Sequence, residues 1–140
     1  MVSAATRSRR RACTLAVLAC LAGTAACGRS APSAAQRPFT PARLEILTPG
    51  PNEVTGADLS VRLQLTGARE VPTSQGAIRP DEGHIHLSLD GTLVAMTSGV
   101  TDDLHGLLPG PHSIQAEFVA VDHAPFRNRV VAAVLFSVRP

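Results

Sequence analysis

Gly83-His84-Ile85-His86-Leu87-Ser88-Leu89-Asp90 alternates apolar and polar side chains with a period of two. That period sends Ile85, Leu87 and Leu89 to one face of a β-strand and His84, His86 and Ser88 to the other. Asp90-Gly91 follows at once, and a two-residue loop of this composition tolerates positive φ at both positions, so it predicts a tight hairpin. The register of such a hairpin sets Leu89 opposite Thr92, Leu87 opposite Val94 and Ile85 opposite Met96, all six on the inward face. His84 and His86 then stand on the outward face.

The same alternation recurs on both sides of this hairpin. A strand is expected over residues 43–47 and another over 59–65, where Leu59, Val61, Leu63 and Leu65 alternate with Ser60, Arg62 and Gln64. A long polar loop, 66–82, leads into the hairpin. Beyond it a short strand is expected within 100–108, a turn at Leu108-Pro109-Gly110-Pro111, a long strand over 112–122, a loop over 123–128 and a final strand over 129–139. In the long strand Ile114, Ala116, Phe118 and Ala120 take the inward parity, and Gln115, Glu117, Val119 and Val121 the outward one. No stretch of helical period follows Ala26. About seven short strands with a Pro-Gly turn before the penultimate one predict an all-β domain, a β-sandwich of immunoglobulin or fibronectin type. The inter-sheet disulfide and core Trp common in antibody domains are missing.

The N-terminus reads differently. Arg7, Arg9, Arg10 and Arg11 precede an uncharged apolar run, 12–26, that ends in small residues, the pattern of a signal peptide. Ala25-Ala26-Cys27 resembles the bacterial lipobox, although Thr24 stands where a branched aliphatic residue is usual. The resemblance implies cleavage before Cys27, a lipid on its sulfur and retention at the outer face of the cell membrane. Leu18-Ala19-Cys20 is a second match that would leave a very short apolar region, and an ordinary secreted protein is the alternative. The expected organisation is a signal peptide over 1–26, a flexible tether rich in Ala, Ser and Pro over 27–41, and the sandwich over 42–140. Cys13 and Cys20 leave with the signal and Cys27 carries lipid, so the domain has no disulfide and depends on its core. Loss of four of the thirteen arginines turns the formal charge of +2 into −2 against eleven acids, and there is no lysine. Nothing in that balance suits nucleic acid.

Three motifs carry a further resemblance: Gly83-His84-Ile85-His86 with Asp90, Pro109-Gly110-Pro111-His112, and Asp122-His123-Ala124-Pro125. Together they resemble a family of exported bacterial immunoglobulin-like domains of unknown function, over roughly residues 44–138. The resemblance implies an extracytoplasmic sandwich and no established activity. Periplasmic copper carriers share a broadly similar sandwich but present their ligands differently.

If the strand 112–122 runs antiparallel beside 83–90, His84 and His86 come to one corner with Asp122 and His123, and Asp81 and Glu82 adjoin it. Imidazoles at i and i+2 of a strand stand about 7 Å apart on one face. A third ligand from the neighbouring strand would let them share a copper or zinc ion, which favours such a nitrogen-rich set. Alternatively the rings lock the corner by hydrogen bonds to loop carbonyls. His112 is expected as a capped residue at the core edge, near a different loop.

Catalytic signatures are missing: no His-Glu-x-x-His, no Gly-x-Ser-x-Gly elbow and no Gly-rich loop opening a helix. The chain is therefore expected not to be an enzyme. Outward Val119 and Val121, with Val131, Ala133 and Leu135 on the last strand, form an apolar stripe of the kind that receives a protein partner. The resulting expectation is a lipid-anchored, extracytoplasmic binding or adaptor domain without a cofactor. A periplasmic or cell-surface copper or zinc protein using His84, His86, His123 and Asp122 is the second reading.

Overall fold

A computed structural model of the chain describes residues 36–72, 76–97 and 99–140. The expected signal peptide, Cys27 and most of the expected tether lie outside the described residues. Those residues form nine strands in the order β1 (Arg43–Thr48), β2 (Val54–Thr55), β3 (Leu59–Thr66), β4 (Arg69–Glu70), β5 (Glu82–Leu89), β6 (Thr92–Thr97), β7 (Thr101–Leu104), β8 (Gly110–Val119) and β9 (Pro125–Val138). One sheet has the order β1-β3-β7. The other runs β2-β9-β8-β5, with β4 and β6 sharing the far edge of β5. The two sheets close on one core. Leu59, Val61 and Leu63 from β3 meet Ile85 and Leu87 from β5, Ile114, Ala116 and Phe118 from β8, and Val130, Val134, Phe136 and Val138 from β9. Phe118 and Phe126 stack in it at 5.4 Å. This is the expected immunoglobulin/fibronectin-like β-sandwich, built because each strand has one apolar face and only two facing sheets can bury both sets.

The hairpin closes as its turn chemistry requires, with φ of 49° at Asp90 and 81° at Gly91. Its register differs from the expected one beyond the first pair. Leu89 faces Thr92, but Leu87 faces Ala95 and Ile85 faces Thr97, because a bulge interrupts the ladder between Leu87 and Ser88. One extra residue on β6 exchanges its two faces. Ala95 packs against the core in place of Val94 and Met96, which are exposed.

A second departure lies at the far end of β8. Ile114, Ala116, Phe118 and Ala120 are buried as their parity demands, yet Val119 and Val121, expected outside, are 1% and 5% exposed. The ladder with β9 is irregular between Phe118 and Val119, and β9 begins at Pro125 rather than at residue 129. Residues expected in the tether are stitched along this end. The Thr40 amide donates to Asn128 Oδ1 at 2.8 Å, Asn128 Nδ2 donates to the Thr40 carbonyl at 2.9 Å, and the Arg127 amide reaches the Pro38 carbonyl. Arg37 and Thr40 are buried, so the folded domain starts at or before Arg37 and the expected boundary at residue 42 falls too late. Of the apolar stripe, Val131, Ala133 and Leu135 remain exposed on β9.

Candidate metal centre

The site begins with a glycine. A Cβ on Gly83 would stand 2.1 Å from the Val119 carbonyl oxygen and 2.8 Å from Phe118 Cζ, so only glycine lets β5 approach β8 this closely at its first residues. The next outward positions are His84, opposite Val119, and His86, opposite Glu117. Both rings lean to the same point above the sheet. His123 arrives from the turn between β8 and β9, where it holds a left-handed φ of 63°. That turn is closed by the His123 amide on the Ala120 carbonyl (2.9 Å) and the Ala120 amide on the Ala124 carbonyl (3.0 Å).

Arg37 fixes the same turn from outside. Its guanidinium donates twice to Asp122, Nη1 to Oδ2 at 2.9 Å and Nη2 to Oδ1 at 2.7 Å, and Nη2 also to the Ala124 carbonyl at 3.0 Å. Nε donates to the Pro125 carbonyl. A planar fork used in this way sets the orientation of everything it touches. His123 is thus held between two residues that Arg37 grips. Sequence reading assigned Arg37 to the tether, and no local pattern marks it as a clamp, since its partners lie 85 to 88 residues away.

The three rings meet nitrogen to nitrogen. His84 Nε2 is 3.1 Å from His86 Nε2 and 3.1 Å from His123 Nδ1, and His86 Nε2 is 3.3 Å from His123 Nδ1. Edges of 3.1, 3.1 and 3.3 Å give a triangle of circumradius ~1.8 Å, so a point about 0.9 Å above its plane lies ~2.05 Å from all three nitrogens, the usual zinc–imidazole distance. A tetrahedral ion with such bonds needs ligand separations of about 3.3 Å. The triangle meets that requirement almost without adjustment.

Protonation suits the same use. Burial pushes the His84 ring down to about 4, helped by His123 and His86 and opposed by Asp122. Burial, then His123, also lowers His86, while Glu117 opposes. Both are therefore neutral near pH 7 and keep a lone pair for bonding. His84 Nδ1 is buried without a protein partner. Either tautomer leaves that atom unpaired, so packing rather than a hydrogen bond orients the ring, unlike the ligand histidines that donate their second nitrogen to a carboxylate or carbonyl.

Asp122, expected as a ligand beside His123, is instead bound by Arg37, which holds its carboxyl below the usual range. Glu117 is likewise engaged by Arg129 at 2.8 and 2.7 Å. Glu82 pairs with Arg69 at 2.5 Å and Arg79 at 3.6 Å. Asp122, Glu117 and Glu82 are thus spent on arginines, and the convergent donors are nitrogens. His112 and His105 sit elsewhere, with Asp90 and Asp58 respectively. A shallow cleft of about 350 Å³ lined by Ser88, Gly91, Gln115 and Leu135 lies nearer the Asp90 turn and has no ionisable side chain in its wall.

No family model matches the chain, and no curated protein matches it. Among solved structures, fibronectin(III)-like modules of Clostridium thermocellum CbhA are 16% identical, covering 69% of this chain and 94% of theirs at a TM-score of 0.48. The CARDB domain of the PF1109 protein from Pyrococcus furiosus, in complex with di-metal ions, is 19% identical over 72% of this chain and 94% of its own, with a TM-score of 0.47. The PKD domain from human KIAA0319 is 13% identical over 79% and 92%, with a TM-score of 0.43. At such identities none of them lends a role to any residue here. The chain is an immunoglobulin/fibronectin-like domain, and its histidine corner has to be understood from its own geometry.

Proposed function

We propose that this domain binds a single transition-metal ion, copper or zinc, through His84 Nε2, His86 Nε2 and His123 Nδ1. The observation that carries the reading is the mutual 3.1–3.3 Å spacing of three ring nitrogens. Three protein ligands leave a fourth position free, and His123 at the surface puts that position toward solvent. Sites of this kind exchange water or another ligand, whereas purely structural sites use four protein donors. The domain thus acts as a metal-binding module, presented outside the cell on a lipid at Cys27 if the lipobox is used. An adaptor role loses Val119 and Val121 to the interior and keeps a stripe of Val131, Ala133 and Leu135.

Titration of the purified chain with Cu²⁺ and Zn²⁺, followed through histidine ring resonances, is expected to show one ion bound with a dissociation constant below about 1 µM. His84→Ala and His86→Ala should each weaken that binding roughly hundredfold or more. Failure of the wild-type chain to bind below millimolar concentration would reject the proposal. Palmitate labelling that disappears in Cys27→Ser tests the anchor separately.

A further inference from the structure

The geometry points to Met96 as a fourth, sulfur ligand, which makes the ion of this site copper(I); this rests on the three-histidine reading above. Met96 is the direct cross-strand partner of His86 in the β5–β6 ladder, on the same sheet face. Such pairs hold their Cβ atoms ~5 Å apart, and a methionine side chain has three rotatable bonds with which to swing its sulfur toward a neighbour. His123 comes to the histidine pair from the β8 side, and Met96 flanks the pair from the β6 side.

Three observations favour a ligand over an incidental surface residue. Met96 is 56% exposed, so its thioether is not packed into the core and can turn toward the histidine nitrogens. It is there because of the bulge between Leu87 and Ser88: without the bulge, the hairpin register would send Met96 into the core and set Ala95 opposite His86. Bulges re-aim side chains in this manner beside functional sites. Finally, Asp122 and Glu117, the acids that could supply a hard oxygen, are each held by an arginine. Three imidazole nitrogens and a thioether form a soft donor set, and thioethers select copper(I) over zinc.

The test is an anaerobic titration of the full chain with Cu(I) against a chromophoric Cu(I) chelator, beside a Zn²⁺ titration, for the wild type and Met96→Leu. Leucine is close to methionine in size and the position is exposed, so the variant folds. Met96→Leu should weaken Cu(I) by at least about tenfold, a loss of about 1.4 kcal/mol, while its Zn²⁺ affinity stays unchanged. X-ray absorption of the wild-type Cu(I) form should show one sulfur scatterer, absent in the variant. Equal Cu(I) affinity in both proteins, or a sulfur-free wild-type spectrum, overturns the methionine ligand and leaves the three histidines standing. A wild type that takes up neither ion overturns both.

Discussion

The sheet formed by β5 and β8 has a histidine arrangement at each end, and the two solve opposite problems. Near the Asp90 turn, His112 points Nδ1 at Asp90 Oδ2 (2.7 Å) and Nε2 at the Leu108 carbonyl (2.7 Å), so both ring nitrogens face acceptors. At the Gly83 end, His84, His86 and His123 bring their ring nitrogens against one another, and Asp122 and Glu117 beside them are held by arginines. Protein groups raise the His112 ring above its ordinary value; burial lowers His84 and His86. A histidine that the protein satisfies completely has a structural task. Three whose nitrogens lie 3.1–3.3 Å from one another are the arrangement on which the proposed metal reading rests.

The glycines at the two ends differ in the same spirit, and replacing them gives the largest expected effect. Gly83 is required for space, Gly91 for its positive φ of 81°, with nothing within 4 Å of a Cβ there. Gly83→Ala pushes backbone against backbone in a packed sheet and should cost about 3 kcal/mol. Gly91→Ala should cost about 1 kcal/mol. Urea unfolding midpoints measure both, and equal losses would remove the distinction.

Next in size is an exchange of roles between the ends. His86→Ala should weaken metal binding roughly hundredfold or more and leave the metal-free protein no less stable, since it removes a lowered, crowded ring. His112→Ala should leave metal affinity intact and destabilise the fold by about 1 kcal/mol. Calorimetric metal titration with thermal melts of both variants checks the crossed pattern.

Arg37 sharpens the comparison further, because it ties the N-terminal segment to one end only. Arg37→Ala frees the Asp122–Pro125 turn and should lower metal affinity about tenfold by loosening His123. Arg37→Lys keeps the charge without the fork and should recover only part of that loss. If both variants bind metal as the wild type does, the clamp is irrelevant to the site.

Much of this was legible in the chain. The alternation of β3, β5 and β8 named the inward residues correctly, Asp90-Gly91 named its turn, and the i, i+2 spacing placed His84 and His86 on one face. Period-two patterning is a local property, which is why it reads well. What it could not show depends on contacts distant in sequence. A bulge changes register by one residue without altering composition, so Met96 was assigned to the core. Val119 and Val121 lie where the β8–β9 ladder turns irregular, which parity alone does not foresee, and Arg37 itself looked like part of a solvated tether. Asp122 was placed beside His123 correctly in sequence terms, but its guanidinium partner was out of sight, and with it the reason that the site offers nitrogens alone.

The smallest expected effect is electrostatic and belongs to the Asp90 end. The Leu108 carbonyl, then Asp90, raise His112 above its ordinary 6.5, while His112 first, then the Ser113 amide, lower Asp90 below its ordinary 3.8. A raised imidazole stabilises the fold in full below its unfolded value and loses that contribution as pH rises through the folded one. A depressed carboxylate contributes above its unfolded value and loses this as pH falls through the folded one. The pair is therefore worth most between about pH 4 and 6.5. Asp90→Asn isolates it, because asparagine also accepts positive φ at this turn and its amide oxygen can still receive the Ser113 amide, now at 2.7 Å from Oδ1. Since the Asp90 side chain is 47% exposed, solvent screening limits the loss to about 0.5–1 kcal/mol near pH 5.5. The difference in melting temperature between wild type and variant should shrink steadily above pH 7. A difference that instead grew with pH would mean that His112 is held neutral, and the two ends of the sheet would then no longer be opposites.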